Sequence, residues 1–148
     1  MAKLSFSASV AAWADKVPGA IEVIFKEAAQ EVVEEMQTPT GQGGRMRVDT
    51  GFLRASLLAS TTAMPTIQAN ANPVEGGSYS PNFAQIEAVI AGADIGDTLY
   101  FGYTAAYAAH REYGANGQPA DAFVRMAAQN WPIIVDRKAV ETRARLGL

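Results

Sequence analysis

A chain of 148 residues, 49% hydrophobic and 18% charged, suits one globular domain around one core. It has no cysteine, so disulfide frameworks, thiolate catalysis and cysteine-ligated zinc are excluded. Its net charge of −3, from 12 basic and 15 acidic residues, argues against a general nucleic-acid binder, which needs a surface rich in cations.

The opening Met1-Ala2-Lys3-Leu4-Ser5-Phe6 lacks the apolar run of a signal peptide. No window reaches the roughly 18 apolar residues of a membrane helix. The expectation is a protein kept in a reducing, aqueous compartment, with no membrane partner. A short helix is predicted around Val10 to Lys16. A long one follows, with Pro18 in its first turn. Its apolar stripe is Ile21, Ile24, Phe25, Ala28, Val32 and Met36, and Glu22, Glu27, Gln30, Glu31, Glu34 and Glu35 occupy the other side. Thr38-Pro39-Thr40-Gly41 ends it, because proline cannot donate the next backbone bond.

Residues 39–48, with Gly41, Gly43 and Gly44, read as a flexible loop. Asp49 or Thr50 can cap a short helix through its side-chain oxygen, and a strand can run out from Leu57 to Thr62. Residues 63–82 are broken by Pro65, Pro73, Gly76, Gly77 and Pro81 and read as a long loop. Two strands are predicted next, over 84–90 and 98–103, joined by the turn residues 92–97 into an antiparallel hairpin. Residues 105–113 form a short helix stopped by Gly114. The last helix begins near Asp121 and kinks or restarts at Pro132. Its basic tail, within 137–148, is expected to be exposed and frayed. These elements define an α+β chain.

Charge is distributed unevenly. Residues 1–36 hold six acids against three lysines, and residues 111–148 hold six basic residues against four acids. Opposite ends of this kind can orient subunits toward one another, or they can be the solvated faces of two helices.

Three segments in this order carry a resemblance. They are Val48-Asp49-Thr50-Gly51-Phe52-Leu53-Arg54-Ala55-Ser56-Leu57, then Tyr107-Ala108-Ala109-His110-Arg111-Glu112-Tyr113-Gly114, then Ala122-Phe123-Val124-Arg125-Met126-Ala127. Together, over roughly residues 20–135, they resemble the tail-completion or neck family of tailed-phage morphogenesis proteins. The long 63–82 loop and Pro132 depart from that pattern. The resemblance implies a small, mostly antiparallel sheet packed against a long N-terminal helix and a C-terminal helix. It implies a homo-oligomeric ring of six copies at the head–tail junction of the virion, formed from subunits made in the host cytoplasm. Its neighbours would be head-connector and tail proteins, and DNA would pass through the lumen without specific binding. Another structural ring of the same particle, head-closure or tail-tube, stays open. The residues that match the family motifs or define the fold are Asp49, Thr50, Gly51, Leu53, Arg54, Ser56, Tyr107, Glu112, Gly114 and Phe123. Arg45, Arg47, Pro73 and Tyr79 are candidate interface residues.

Gly51 suits a tight turn or close packing, and Ser56 can bond back to a nearby carbonyl. Arg54 and Glu112 either pair across the fold or stand as two exposed charges. No catalytic, cofactor or metal site is expected. The rival reading is a small hydrolase or nuclease using His110, the single histidine, with Asp49, Ser56 and Glu112 as triad partners, but Gly77-Ser78-Tyr79 is not a nucleophile elbow. One histidine does not build a typical zinc site. Asp94 and Asp97 read as turn residues before they read as cation ligands. Gly41-Gln42-Gly43-Gly44-Arg45 lacks the Lys-Ser/Thr of a phosphate loop. Tyr100, Phe101, Tyr103, Tyr107 and Tyr113 read as core and interface aromatics rather than as base-stacking platforms.

Overall fold

The computed structural model describes residues 5–148. In chain order the elements are α1 (Phe6–Gln37), a 3-10 turn (Thr40–Gln42), α2 (Phe52–Ala55), β1 (Leu57–Ser60), α3 (Phe83–Gly92), β2 (Tyr100–Tyr103), α4 (Ala108–Tyr113), α5 (Phe123–Gln129) and α6 (Trp131–Leu146). The chain is α+β: a two-stranded antiparallel sheet packs with a long N-terminal helix and with the C-terminal helices.

α1 is one continuous helix rather than two, with Pro18 inside it. Its start is fixed by Ser5, whose hydroxyl accepts the Ala8 N–H at 3.2 Å. Pro18 removes one backbone bond and costs about 3 kcal/mol in a helix interior. Ala8, Ala11, Ala12, Ala14 and Ala20 surround it with the strongest helix former, and the helix runs through.

The expected 84–90 strand is a helix, α3, and the expected hairpin does not exist. Asn82 caps α3 by accepting the Gln85 N–H, and Ile86 and Ile90, four residues apart, are its buried residues. β2 pairs instead with β1, in the register Leu57↔Tyr103 to Ser60↔Tyr100. α3 closes the open side of β1 with a side chain. Gln85 Oε1 accepts the Ala59 N–H at 3.1 Å and Gln85 Nε2 donates to the Ala59 carbonyl at 2.8 Å. The amide thus takes the place of a third strand on an edge that would otherwise be unpaired.

One core joins every layer: Ala29, Val33 and Met36 of α1, Leu57 and Ala59 of β1, Ile86 and Ile90 of α3, Tyr103 of β2, and Phe123 and Ala127 of α5. Tyr103 and Phe123 meet edge to face at 5.1 Å. The chain restarts at Pro132, in the first turn of α6, as the sequence predicts.

The basic tail is not frayed. It is the body of α6, which lies along α1 with Ile134 and Thr142 buried. Arg137 pairs with Glu31, Lys138 with Glu31 at 3.8 Å, and Arg145 with Glu27 at 3.0 Å. The acidic and basic ends of the sequence therefore meet within the chain, and these pairs are not free to orient a neighbour.

Candidate functional site

The three motif segments, separated by some 50 residues of sequence in one case, converge on one junction. It begins at Gly51, which has φ +85° and a Cβ position only 2.3 Å from the Tyr79 carbonyl oxygen. Only glycine fits there, by both conformation and space. Thr50 Oγ1 accepts the Phe52 N–H at 3.2 Å and opens the short α2. Leu53 is buried, and Ser56 at the end of α2 donates its hydroxyl to the Leu53 carbonyl at 2.7 Å. The second segment docks here: just ahead of it the Thr104 N–H donates to the Ser56 carbonyl at 3.1 Å, continuing the β1–β2 pairing, and within it the Tyr107 ring lies 6.3 Å from Phe52.

Arg54 and Glu112 do not pair with each other; each has another partner. Arg54 Nε donates to the Gln37 carbonyl, while Gln37 Nε2 donates to the Arg54 carbonyl, both at 2.9 Å. Glu112 is buried and turns to the third segment. Its carboxylate accepts the Val124 and Arg125 N–H groups, each at 2.9 Å, and the Arg125 Nε at 3.1 Å. Those two N–H groups belong to the first turn of α5, so Glu112 caps that helix from outside. The residue before α5, Ala122, has φ +55°, and its N–H donates to the Glu112 carbonyl at 3.2 Å. Gly114, with φ +84°, ends α4 and lets the chain turn back to make these contacts.

Asp121 ties the glycine-rich 39–48 segment to the same junction. Its carboxylate accepts the Arg47 N–H at 3.0 Å and the Arg47 guanidinium, and its carbonyl accepts Arg45 Nε at 2.8 Å. Met46 between them is fully buried, and Pro39 and Met46 form a parallel bridge. The segment expected to be a flexible loop is thus held at both arginines. Tyr79 has a structural part too: it packs edge to face on Phe52 at 5.0 Å and donates its N–H to the Thr50 carbonyl at 2.9 Å. The 63–82 loop is pinned further where Gln68 donates to Thr104 and Ala106 donates to Ala71.

A cleft of about 340 Å³ opens between the first two segments, walled by Arg47, Asp49, Gly51, Arg54, Pro73, Tyr107 and Arg111. Arg111 sits over the Tyr107 ring at 5.9 Å. Burial raises the Tyr107 phenol above its ordinary pKa, and the Arg111 cation pulls it partly back. Burial raises the Tyr103 phenol much further.

His110 is exposed on α4. Two of its conceivable partners are committed elsewhere, Ser56 to Leu53 and Glu112 to α5. Asp94 and Asp97 form a turn, the Asp94 N–H donating to Asp97 Oδ2 at 2.8 Å. Among the described residues no three His, Asp or Glu side chains cluster as metal ligands, and no helix is long and apolar enough to cross a membrane.

A second concavity, an apolar groove of about 620 Å³, lies between α1, β2 and the α5–α6 corner. Phe25, Val32, Met64, Leu99, Phe101 and Trp131 line it. Gln37, Asp121 and Arg125 organise the junction, yet no motif singled them out as partners. The available signals were that Asp121 stands just before a helix and that Arg125 lies inside the third segment. Comparison with family models, curated proteins and solved structures gave no match for the chain.

Proposed function

We propose that this chain is a structural subunit of a tailed-phage neck, assembling into a ring that completes the tail and joins it to the head. The observation that carries this reading is the convergence of the three motif segments. The first segment, 48–57, lies some 50 residues before 107–114, which closely precedes 122–127, and the three are braced through Phe52–Tyr107 and Glu112–Arg125. Motifs that coincided by chance would have no reason to share a hydrogen-bonded junction. Arg54, Ser56 and Glu112 are spent on holding that junction together, which suits a part whose work is shape and assembly.

The test is imaging of particles made by the genome that encodes the chain. A tag carried at Gly76, an exposed loop position, should mark the head–tail junction. Removing the chain should leave filled heads and uncompleted tails that do not join. A tag found elsewhere on the particle, or a normal yield of joined particles without the chain, overturns the proposal.

A further inference from the structure

The first turns of α1, from Phe6 to Lys16, run past the end of α6. Trp13, Val17, Ala20 and Ile21 line one shallow pocket with Arg143 and Leu148, and Lys16 meets the Leu146 carbonyl at 3.5 Å. Toward the N-terminus from there the helix is bare: Phe6 is 84% exposed, Val10 48% and Trp13 56%. These residues are not scattered. Phe6, Val10, Trp13, Val17 and Ala20 follow one another at intervals of four and three, the spacing of a helix-packing seam. Ala20 is buried and Val17 half-buried, and the same seam continues exposed beyond them.

We propose that this overhang docks into the apolar groove of a second copy of the chain, seating Phe6, Val10 and Trp13 against Met64, Leu99, Phe101 and Trp131. The idea rests on the self-assembly proposed above and says which surfaces meet. A subunit cannot fill its own groove, because overhang and groove belong to one continuous helix. Phe6 lies about 28 Å along the axis from Phe25 in the groove wall, at 1.5 Å per residue. Both surfaces carry little charge to desolvate. Asp15 and Lys16 are the charged residues of the overhang and cancel, and Asp97 is the one charged residue lining the groove. The areas also suit. Aromatic side chains bring about 150–250 Å² each, so Phe6 and Trp13 at these exposures leave roughly 300 Å². Val10, the flanking alanines and the backbone ridge bring the contact toward the roughly 800 Å² per partner of a standard interface. Donor and acceptor are different patches, so the contact is heterologous: every subunit gives one overhang and takes one, and a closed ring follows if the rotation closes.

The experiment uses the purified full chain, with size-exclusion chromatography and light scattering over a concentration series. Wild type should rise above monomer mass as concentration increases. Trp13→Glu disables the overhang, and Met64→Glu, at a 55% exposed position, disables the groove. Each variant should melt as wild type does and remain monomeric at concentrations tenfold above those where wild type associates. Mixed, they should form a 1:1 dimer and nothing larger, from one intact overhang and one intact groove. The proposal is overturned by wild type staying monomeric throughout, by either variant still associating alone, or by the mixture remaining monomeric. Association of Met64→Glu alone would identify a symmetric α1–α1 pairing instead. These outcomes are separate from the neck reading: a chain that labels the neck but fails here loses only the interface, and a chain that associates here but never labels a virion loses only the location.

Discussion

Gln37 and Arg54 clamp the end of α1 to α2 by exchanging hydrogen bonds, each donating to the other's carbonyl at 2.9 Å. Gln37 has a second partner. Its Oε1 accepts the Tyr103 hydroxyl at 2.8 Å in a site closed to solvent. One buried amide therefore joins the long helix, the first motif segment and the sheet.

Gln37→Leu should cost about 2–4 kcal/mol, because it leaves a buried phenol and a partly buried carbonyl without partners, at about 1–3 kcal/mol for each such group. Tyr103→Phe should cost less, since it deletes one donor and keeps the ring. Urea denaturation of both variants and of the double variant checks this. The double should lose less than the sum of the singles, because both remove the same bond. Strict additivity would mean that the Gln37–Tyr103 bond contributes nothing.

The pairing that orders the second and third segments is Glu112 with α5. Glu112→Gln keeps the size but turns an amide N–H₂ toward a backbone N–H, donor against donor. A loss of about 1–3 kcal/mol is expected, as for hydrogen bonds to a charged group. A double-mutant cycle between Glu112 and Arg125 should give a coupling of about 0.5 kcal/mol or more, and one between Glu112 and Arg54 a value near zero. The reverse order would restore the Arg54–Glu112 contact that the sequence suggested and the structure does not have.

Those two residues show where sequence reading stops. The sequence left two readings of them open, a pair across the fold or two exposed charges, and neither holds. The partner of each depends on where distant elements dock, and no local pattern encodes that. Gly51 and Gly114 were legible because a turn at positive φ is a local reason, whereas the Tyr79 carbonyl that crowds Gly51 lies far along the chain. The helix over Ile21 to Met36 was legible by its period and the restart at Pro132 by missing donor chemistry, but the buried face was read only in part: Ala28 and Met36 are buried, Ile21 is exposed, and Ala29, Val33 and Gln37 are buried instead. α3 was misread because Ile86, Val89 and Ile90 are β-branched, although Ile86, Ile90 and Ala93 also fit a helical spacing and are the residues buried. The β1–β2 pairing joins Leu57 to Tyr103 across a long loop and a helix, a contact that short-range turn signals do not announce. The α6 tail looked frayed because its basic residues seemed to lack partners, and the acids that neutralise them lie at the other end of the chain.

Stability should fall in strong alkali, and Tyr103 is the principal reason. Burial raises its phenol above the ordinary value of about 10, with Arg54 opposing and Glu112 adding to the shift. The folded state then keeps a proton that the unfolded state gives up. The contribution of Tyr103 is fully present below about pH 10 and is lost as pH rises beyond it, at a slope of up to about 1.4 kcal/mol per pH unit. Tyr107, raised in the same direction, adds a smaller part. Denaturant midpoints for wild type and Tyr103→Phe should differ most at neutral pH and converge above pH ~10. Parallel curves across that range would remove Tyr103 as the cause.

Gly51→Ala tests the hinge on which the long loop hangs. Alanine at φ +85° costs roughly 1–2 kcal/mol for the left-handed backbone alone. Its Cβ would also lie 2.3 Å from the Tyr79 carbonyl oxygen, so one of the two segments must move. The Tyr79 N–H bond to Thr50 and the edge contact of Tyr79 with Phe52 are the nearest interactions to give way. A total loss of about 2–4 kcal/mol is expected, within the range for a strained backbone position combined with overpacking. The damage should be local, so limited proteolysis should cut the variant faster within 63–82 while α1 and α6 stay protected. Tyr79→Ala, which removes the same anchor without touching the turn, should open the loop to protease in the same place at a smaller cost in global stability. Equal protection of the loop in all three proteins would show that it is held by Gln68 and Ala71 instead.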